Sequence, residues 1–474
     1  MKMDMIRNFL DKGLFFLILF LIAFIPLYPK FPLFNVSGTF VAVRIEDFLI
    51  AITLLFWIFF ILKFERLQFR DTVNRALILF FFIGGISILS AIFLTQSVTP
   101  HLGLLHFLRR MEFMFLMPVA ATIINTKKRL YATFIVFALT LLTINIYALG
   151  QQYLDWPVIS TTNSEFSKGL VLSLTPGARV NSTFAGHYDL AIYLSMALSL
   201  LAATYFMAGK VLKILVLGLS ALSLFVLVLS AARVSFIAAF IGIILALIFA
   251  KKKKYLLVII LCIIIVLVYP SQLRERFLST ITVNLFNLGQ RYEGRNLNQQ
   301  LENKLNIPSL AYRIASRSAS FSAFPDSPQG VPVDIAPGEP TDITSLGVYR
   351  SFQIRVNIEW PRAINATIKN PLLGTGYSSL GIATDNDFLR SLGEVGLLGT
   401  AGFGLILISI WKKVYQGLSR QEKVVKYFSA GVAAMTVSFL ISGTFIDAFE
   451  ASKVATIFWL TVGACLGVLK VGKF

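Results

Sequence analysis

Twelve apolar runs decide the class of this chain before any motif is read. They lie at roughly 14–29, 46–63, 75–95, 104–125, 129–150, 188–208, 211–230, 233–250, 255–270, 386–411, 424–446 and 453–471. A helix needs about 20 apolar residues to cross roughly 30 Å of hydrocarbon. In lipid, only helices and closed barrels satisfy every backbone polar group. Composition agrees, since 56% of the 474 residues are hydrophobic and 14% charged, against about 25% charged in soluble domains. The expected fold is therefore all-α: a polytopic transmembrane helical protein of about twelve spans.

The first run follows Lys2, Arg7 and Lys12, in the manner of a signal peptide. It ends in PLYPKFP with no small-x-small cleavage site, so it reads as an uncleaved first span. Cys262 and Cys465 both lie in apolar runs and read as small buried hydrophobes. The three histidines, His101, His106 and His187, have no metal-ligand spacing, and no phosphate-binding glycine loop is present. No metal, cofactor or nucleic-acid partner is expected.

Short-loop lysines and arginines orient a membrane protein. With the N-terminus inside, every inside segment is basic, from Lys2–Arg7–Lys12 through the Lys251–Lys254 turn to Lys470 and Lys473. An even span count puts both termini in the cytoplasm. The inside then holds 17 Lys and 6 Arg, and the outside 5 Lys and 15 Arg. Arginine's planar fork binds phosphate bidentately and stays charged, so an arginine-rich outer face suggests a phosphate-bearing ligand. Pairing with loop acids or lipid headgroups accounts for others. Three regions follow: an N-terminal transmembrane region at 1–270, an extracytoplasmic cap at 271–385 and a C-terminal transmembrane region at 386–474. The cap has a Pro- and Gly-rich middle at 322–340, and its flanks, 272–320 and 346–369, read as short helices.

The stretch 355–399 reads RVNIEWPRAINATIKNPLLGTGYSSLGIATDNDFLRSLGEVGLLG. Ile358, Ala363, Ile364 and Ile368 can share the apolar side of a helix, with Arg355, Glu359 and Arg362 opposite. Pro361 kinks or starts that helix, and Asn370-Pro371 stops it. Gly374 and Gly376 turn the chain. Asp385, Asn386, Asp387 and Arg390 then form a polar knot, with Glu394 one helical turn past Arg390. Ionisable groups where a chain enters a membrane are costly and are usually kept for a task. Arg109, Arg110 and Glu112 form a second polar cluster, and Arg44, Glu46 and Asp47 a third. Each reads as a possible site wall or, more simply, as a structural ion pair.

The run PLLGTGYSSL…DNDFLRSLGEVGLLG resembles the signature of the O-antigen polymerase and ligase superfamily of integral membrane glycosyltransferases. The family's ligases carry His-Asn where Asp385-Asn386 stands here. The resemblance implies a GT-C-like fold and a site on the outer face of the bacterial inner membrane. It implies an undecaprenyl-pyrophosphate-linked oligosaccharide as donor, and release of lipid pyrophosphate without metal. The acceptor would be another lipid-linked repeat unit, or lipid A core or protein; membrane lipids and polysaccharide-export machinery are the remaining expected partners. At the family's histidine position, Asp385 becomes the candidate base, since inverting transfer needs one to deprotonate the acceptor hydroxyl. Arg179, before VNSTFAGH, and Arg233, in SAARVS, resemble the family's pyrophosphate contacts. Arg390, Asp387, Glu394, His187, Arg355 and Arg109 are the candidate substrate-binding residues. Against these stand simpler roles: a helix cap for Asp385 or Asp387, an i, i+4 pair for Arg390–Glu394, and a capping or interface role for His187. The Asp385 departure leans toward polymerase over ligase. Twelve spans with both ends inside also fit a lipid-linked sugar flippase, but the ionisable residues gather on the outer side rather than along a path through the bilayer.

Overall fold

The computed structural model describes residues 2–29, 31–37, 39, 42–64, 71–158, 179–282, 352, 354–381 and 383–471. The middle of the expected cap, with the Pro- and Gly-rich stretch and the expected helices over 283–320 and 346–351, lies outside the described residues. A helix lies over each of the twelve apolar runs. They are α1 (Lys2–Leu27), α2 (Ile45–Phe64), α3 (Thr72–Phe93), α4 (Pro100–Ile123), α5 (Lys127–Tyr153), α6 (His187–Thr204), α7 (Lys210–Leu229), α8 (Arg233–Phe249) and α9 (Leu256–Val268). After α9 come the short α10 (Gln272–Thr282) and α11 (Trp360–Lys369), then α12 (Asp387–Leu418), α13 (Lys423–Ser442) and α14 (Ser452–Val471).

Among the described residues, nine helices are long and apolar enough to cross a membrane, or up to ten if a bent pair counts as one span. The exceptions have plain causes. Arg109, Arg110 and Glu112 charge α4, which still runs through 24 residues. Helix α8 has 17 residues, and α9 has 13 before the chain bends by 88° into α10. The structure also departs from a purely helical reading: β1 (Pro32–Asn35) pairs antiparallel with β2 (Ala42–Arg44) between α1 and α2. The first span ends in Pro-rich sequence that cannot continue a helix, and the short hairpin satisfies its backbone instead.

Helices α6 and α14 are the most enclosed of the apolar helices. Helix α14 lies close against α4 because Gly463 and Gly467 face it: a Cβ at either would stand within 2.4 Å of a backbone oxygen, Met117 O or Ile124 O. Small residues four apart let helix backbones approach in lipid, where packing rather than hydrophobicity drives association.

The bundle has two chemically different ends. At one, Arg129 pairs with Asp11, Lys127 with Glu422, and Lys413 with Asp71; the turns holding Lys210, Lys252 and Lys426 lie there too, with Lys252 and Tyr427 both against Phe206. At the opposite end, Lys453 reaches Pro26 O and Thr183 O, Arg110 pairs with Glu450, and Arg233 meets α10. Every arginine considered as a site residue lies at this second, arginine-rich end.

Candidate active site

The site is framed by a break in α12. Gly396 has φ 66° and ψ −169°, a region open essentially to glycine alone. The break frees backbone groups before and after it. The PLLGTG turn takes them up: Thr375 N donates to Gly393 O (2.9 Å) and Gly376 N to Glu394 O (2.8 Å), while Leu397 N donates to Pro371 O (2.8 Å). Ser87 of α3 donates to Leu373 O and Glu394 O, clamping both strands of the junction. Gly374, at φ 69°, allows the close approach, since a Cβ there would stand 2.5 Å from the Glu394 carbonyl. The motif is thus a plug docked into a broken helix, and it holds the first turns of α12 in place.

Those turns carry Asp387, Arg390 and Glu394, all buried. Arg390 stands 3.3 Å from Glu394 and 2.9 Å from Asp447, and also donates to Gly381 O (3.2 Å). Asp387 accepts from Ala448 N (2.9 Å) and Phe449 N (3.2 Å). Asp447 accepts in addition from Thr384 N (2.8 Å) and Asn386 N (3.3 Å). The three expected residues are therefore engaged by protein groups, and they tie the 384–387 turn to the 443–450 turn. The i, i+4 pair is real, but it is one edge of a larger network. Glu450 joins it by pairing with Arg110 and standing 3.9 Å from Arg390. Burial would raise the Glu450 carboxyl, but the Arg110 and Arg390 guanidiniums outweigh it and hold it down at about 2. Burial, with Glu394 and Glu450 nearby, pushes the Tyr377 phenol up.

Asp385 has a different setting. The helix cap is Asn386, whose side chain accepts from Phe388 N and Leu389 N, so neither neighbouring aspartate performs that task. Asp385 itself has φ +50°, a conformation that L residues adopt at a cost and that Asp and Asn tolerate best. Its carboxylate pairs with Arg355 at 2.6 Å and is partly exposed. Arg355 opens a π-helical turn, Arg355–Glu359, that leads into α11; such turns recur at functional sites. Glu359 ends the same turn, and burial, with Asp385 beside it, raises its carboxyl.

Arg355 also connects this carboxylate to an arginine cluster. Arg233 lies in electrostatic range of both Arg355 and Arg179, and Arg276 in range of Arg179 and Arg233. Among the described residues Arg233 pairs with no acid: it donates to Thr280 Oγ1 and Arg276 O, while Arg276 donates to Ala231 O. These reciprocal bonds dock α10 onto the α7–α8 turn. Arg179 is buried and donates to His187 Nε2. A guanidinium has only donors, so that imidazole nitrogen is an acceptor and the ring is neutral. An apolar groove of about 440 Å³ runs down from this cluster between α8, α9 and α10, lined by Phe240, Ile241, Ile263, Leu267 and Leu278, with Arg274 among its residues.

Arg109 does not join the cluster. It stacks over Phe113 at 5.3 Å and lies with Asp47 and Glu112 on a separate groove between α2 and α4. Sequence reading passed over Arg276, Asp447, Glu450 and Lys453. The signal available was three ionisable residues in the short segment TFIDAFEASK between two apolar runs. Among the described residues, no group of three His, Cys, Asp or Glu could hold a metal ion.

Residues 218–404 match the family model described as O-antigen ligase. That match supports the O-antigen polymerase/ligase superfamily, a family of glycosyl-transferring membrane enzymes. The matched segment holds Arg233, Arg276, Arg355, Asp385, Arg390 and Glu394; Arg179 and the Asp447–Glu450 turn come from outside it. No curated protein matches the chain in a sequence search.

Proposed function

We propose that the chain is a metal-independent glycosyltransferase of the bacterial inner membrane. On this reading it transfers an undecaprenyl-pyrophosphate-linked oligosaccharide to a lipid-linked acceptor at the outer face, as a polysaccharide polymerase. The observation that carries it is the sequence of charges at the arginine-rich end: Arg179, Arg276 and Arg233 in electrostatic range of one another, Arg355 in range of Arg233, and the Arg355–Asp385 pair at the end. The apolar α8–α10 groove opens beside it and suits the donor's prenyl chain.

In the proposed step, Asp385 takes the proton of the acceptor hydroxyl. The hydroxyl oxygen forms a bond to the anomeric carbon, and the bond from that carbon to the pyrophosphate oxygen breaks with inversion. The negative charge leaves on the lipid pyrophosphate, where the fixed guanidiniums stabilise it without reorganising. Asp387, Arg390, Asp447 and Glu394 hold the turn that presents Asp385. His187 sets the orientation of Arg179. Transfer to lipid A core, the ligase reaction, differs only in acceptor.

The test is incubation of the purified protein with lipid-linked repeat units, read as a ladder of longer glycans. Asp385→Asn should abolish the ladder while leaving insertion and donor binding intact. Asparagine tolerates the same left-handed backbone and Asn386 remains the cap, so the substitution keeps the turn while removing the base and its charge pairing with Arg355. A near-native ladder from Asp385→Asn would defeat the assignment of the base.

A further inference from the structure

Helix α8 ends in the Lys251–Lys254 turn at the lysine-rich end of the bundle. Lys252 N donates to Leu247 O (2.8 Å) and Lys251 N to Ile248 O (3.0 Å). That pair of bonds puts the residue after the helix cap in the left-handed region, where glycine is preferred. Lysine stands there, with φ 57°, and an L side chain adopts that backbone at a cost. Orientation in the bilayer calls for positive charge and for no particular backbone. Glycine at 251, followed by the three remaining lysines, would serve it as well. A lysine in this strained position therefore answers to something else.

The lysines are also held in place. Lys252 Nζ lies 5.5 Å over the Phe206 ring and Lys254 Nζ 5.2 Å over the Tyr255 ring, and those two rings meet at 5.4 Å. Phe206 meets Tyr205 at 5.2 Å, and Lys213 lies over Tyr205. One set of rings thus gathers lysines of α7 and of the α8–α9 turn. Arg129, Lys127 and Lys413 at this end have acidic partners. Among the described residues, Lys213 and Lys251–Lys254 form no ion pair. Four like charges in one turn repel, and the aromatic faces balance them only in part. The turn and Ile248 bound an open hollow of about 700 Å³, and among the described residues its lining holds no carboxylate. Its chemistry suits an anion.

What continues from the hollow is apolar. Ile248 ends a stripe at helical spacing along α8 with Ile244, Ile241 and Ile237, and those three line the α8–α10 groove. Helix α9, which follows the lysines, has no buried residue; Leu257, Val258, Leu261 and Ile265 are exposed. An anionic head with an apolar wall running from it into the bilayer is the form of a phospholipid site. An acidic peptide would meet the lysines but gain nothing from that wall. Four lysines exceed the single charge of a one-phosphate headgroup, and two phosphates match them better. A lipid of this leaflet reaches only to the midplane, which leaves the outer half of the stripe to a prenyl chain.

We propose that the Lys251–Lys254 turn binds diphosphatidylglycerol, its two phosphates among the lysines and its acyl chains along Ile248 and α9. The bound lipid braces α9, which bends by 88° into the helix that carries Arg276. This site stands apart from the glycosyltransferase reading, because it lies at the opposite end of the bundle from Arg179 and Asp385.

The test titrates the full chain in detergent with diphosphatidylglycerol, phosphatidylglycerol, phosphatidylcholine and undecaprenyl pyrophosphate, and follows the retained adducts by native mass spectrometry. Diphosphatidylglycerol should bind about tenfold tighter than phosphatidylglycerol, the gain from one or two further lysine–phosphate contacts. High salt should weaken it, and phosphatidylcholine should give no specific adduct. Combining Lys251→Gln, Lys252→Gln, Lys253→Gln and Lys254→Gln should abolish the preference. Lys251→Gly keeps the turn, since glycine suits its backbone, and should lower the affinity about fivefold, the worth of one lysine near phosphate. A diphosphatidylglycerol with a diazirine in one acyl chain should label the peptide holding Leu257 and Ile265. Equal retention of diphosphatidylglycerol and phosphatidylcholine would overturn the proposal, as would labelling confined to other helices. So would an undiminished preference in the fourfold variant or, should that variant fail to fold, an unchanged affinity in Lys251→Gly. Tighter binding of undecaprenyl pyrophosphate at this turn would give the site to a different lipid and overturn the occupant named here.

Discussion

Asp385 and Asn386 divide two tasks that look interchangeable in sequence. Asn386 accepts the free N–H groups of α12, which leaves Asp385 to meet Arg355. Strain at Asp385 is tolerated because Asp447 bonds Thr384 N and Asn386 N on either side. The arginines nearby act through geometry as much as charge. Arg179→Lys and Arg233→Lys keep the charge but lose the planar fork, so each should lower transfer about 10–100-fold, the worth of a charge-assisted bond, in a glycan-ladder assay. Full activity in both would mean that they only neutralise headgroups. Glu450 predicts a pH dependence. Its carboxyl is depressed in the folded chain, to about 2 from an ordinary 4.5, so its contribution to stability is complete above about 4.5 and is lost as pH falls toward 2. Thermal melts in detergent should show that acid limb, and Glu450→Gln should flatten it while lowering stability by about 1–3 kcal/mol, the cost of leaving the partly buried Arg110 guanidinium without its charged partner.

At the scale of elements, the broken α12 explains why a glycine-rich motif stands at the start of a membrane helix. An unbroken helix would bond the Gly393 and Glu394 carbonyls internally and leave the PLLGTG turn without partners. Breaking it at Gly396 exchanges those bonds for ones to Thr375 and Gly376, and so fixes α11, the turn and the Asp385 loop as one body. Gly396→Ala should destabilise the protein by more than about 1–3 kcal/mol, the cost of the backbone conformation alone, because its Cβ would also stand 2.4 Å from Leu372 O. A melt of this variant matching the parent would show that the break is not needed. Lys453 is a second such fastening. Fully buried, it donates to Pro26 O and Thr183 O, tying α1 and α14 to the turn that carries Arg179.

At the scale of the whole molecule, the separation of lysine-rich and arginine-rich ends sets the expected topology. Lysines need only charge to hold loops inside, whereas arginines gather where directed bonds are made. An impermeant thiol reagent applied from outside should label Ile368→Cys, which is exposed on α11, and should spare Lys252→Cys. Labelling at Lys252→Cys alone would reverse the orientation and place the site in the cytoplasm.

Much of this architecture was legible along the chain. Apolar run length is a one-dimensional property, so helices appear over all twelve runs. The glycines of PLLGTG and GEVGLLG announced special backbone, and the family signature pointed to Asp385. Pairing across the bundle was not legible. Asp447 and Glu450 lie more than 50 positions from Arg390, and Arg110 reaches Glu450 across 340. Nothing in local spacing joins them, nor does it place Arg276 beside Arg179, nor assign Arg109 and Arg110 to different sites. Length and apolarity by themselves determined a membrane helical bundle with its charges at the ends. Only the tertiary structure decided which of those charges neutralise one another, because ion pairing depends on distance and burial, and both are set by how the helices pack.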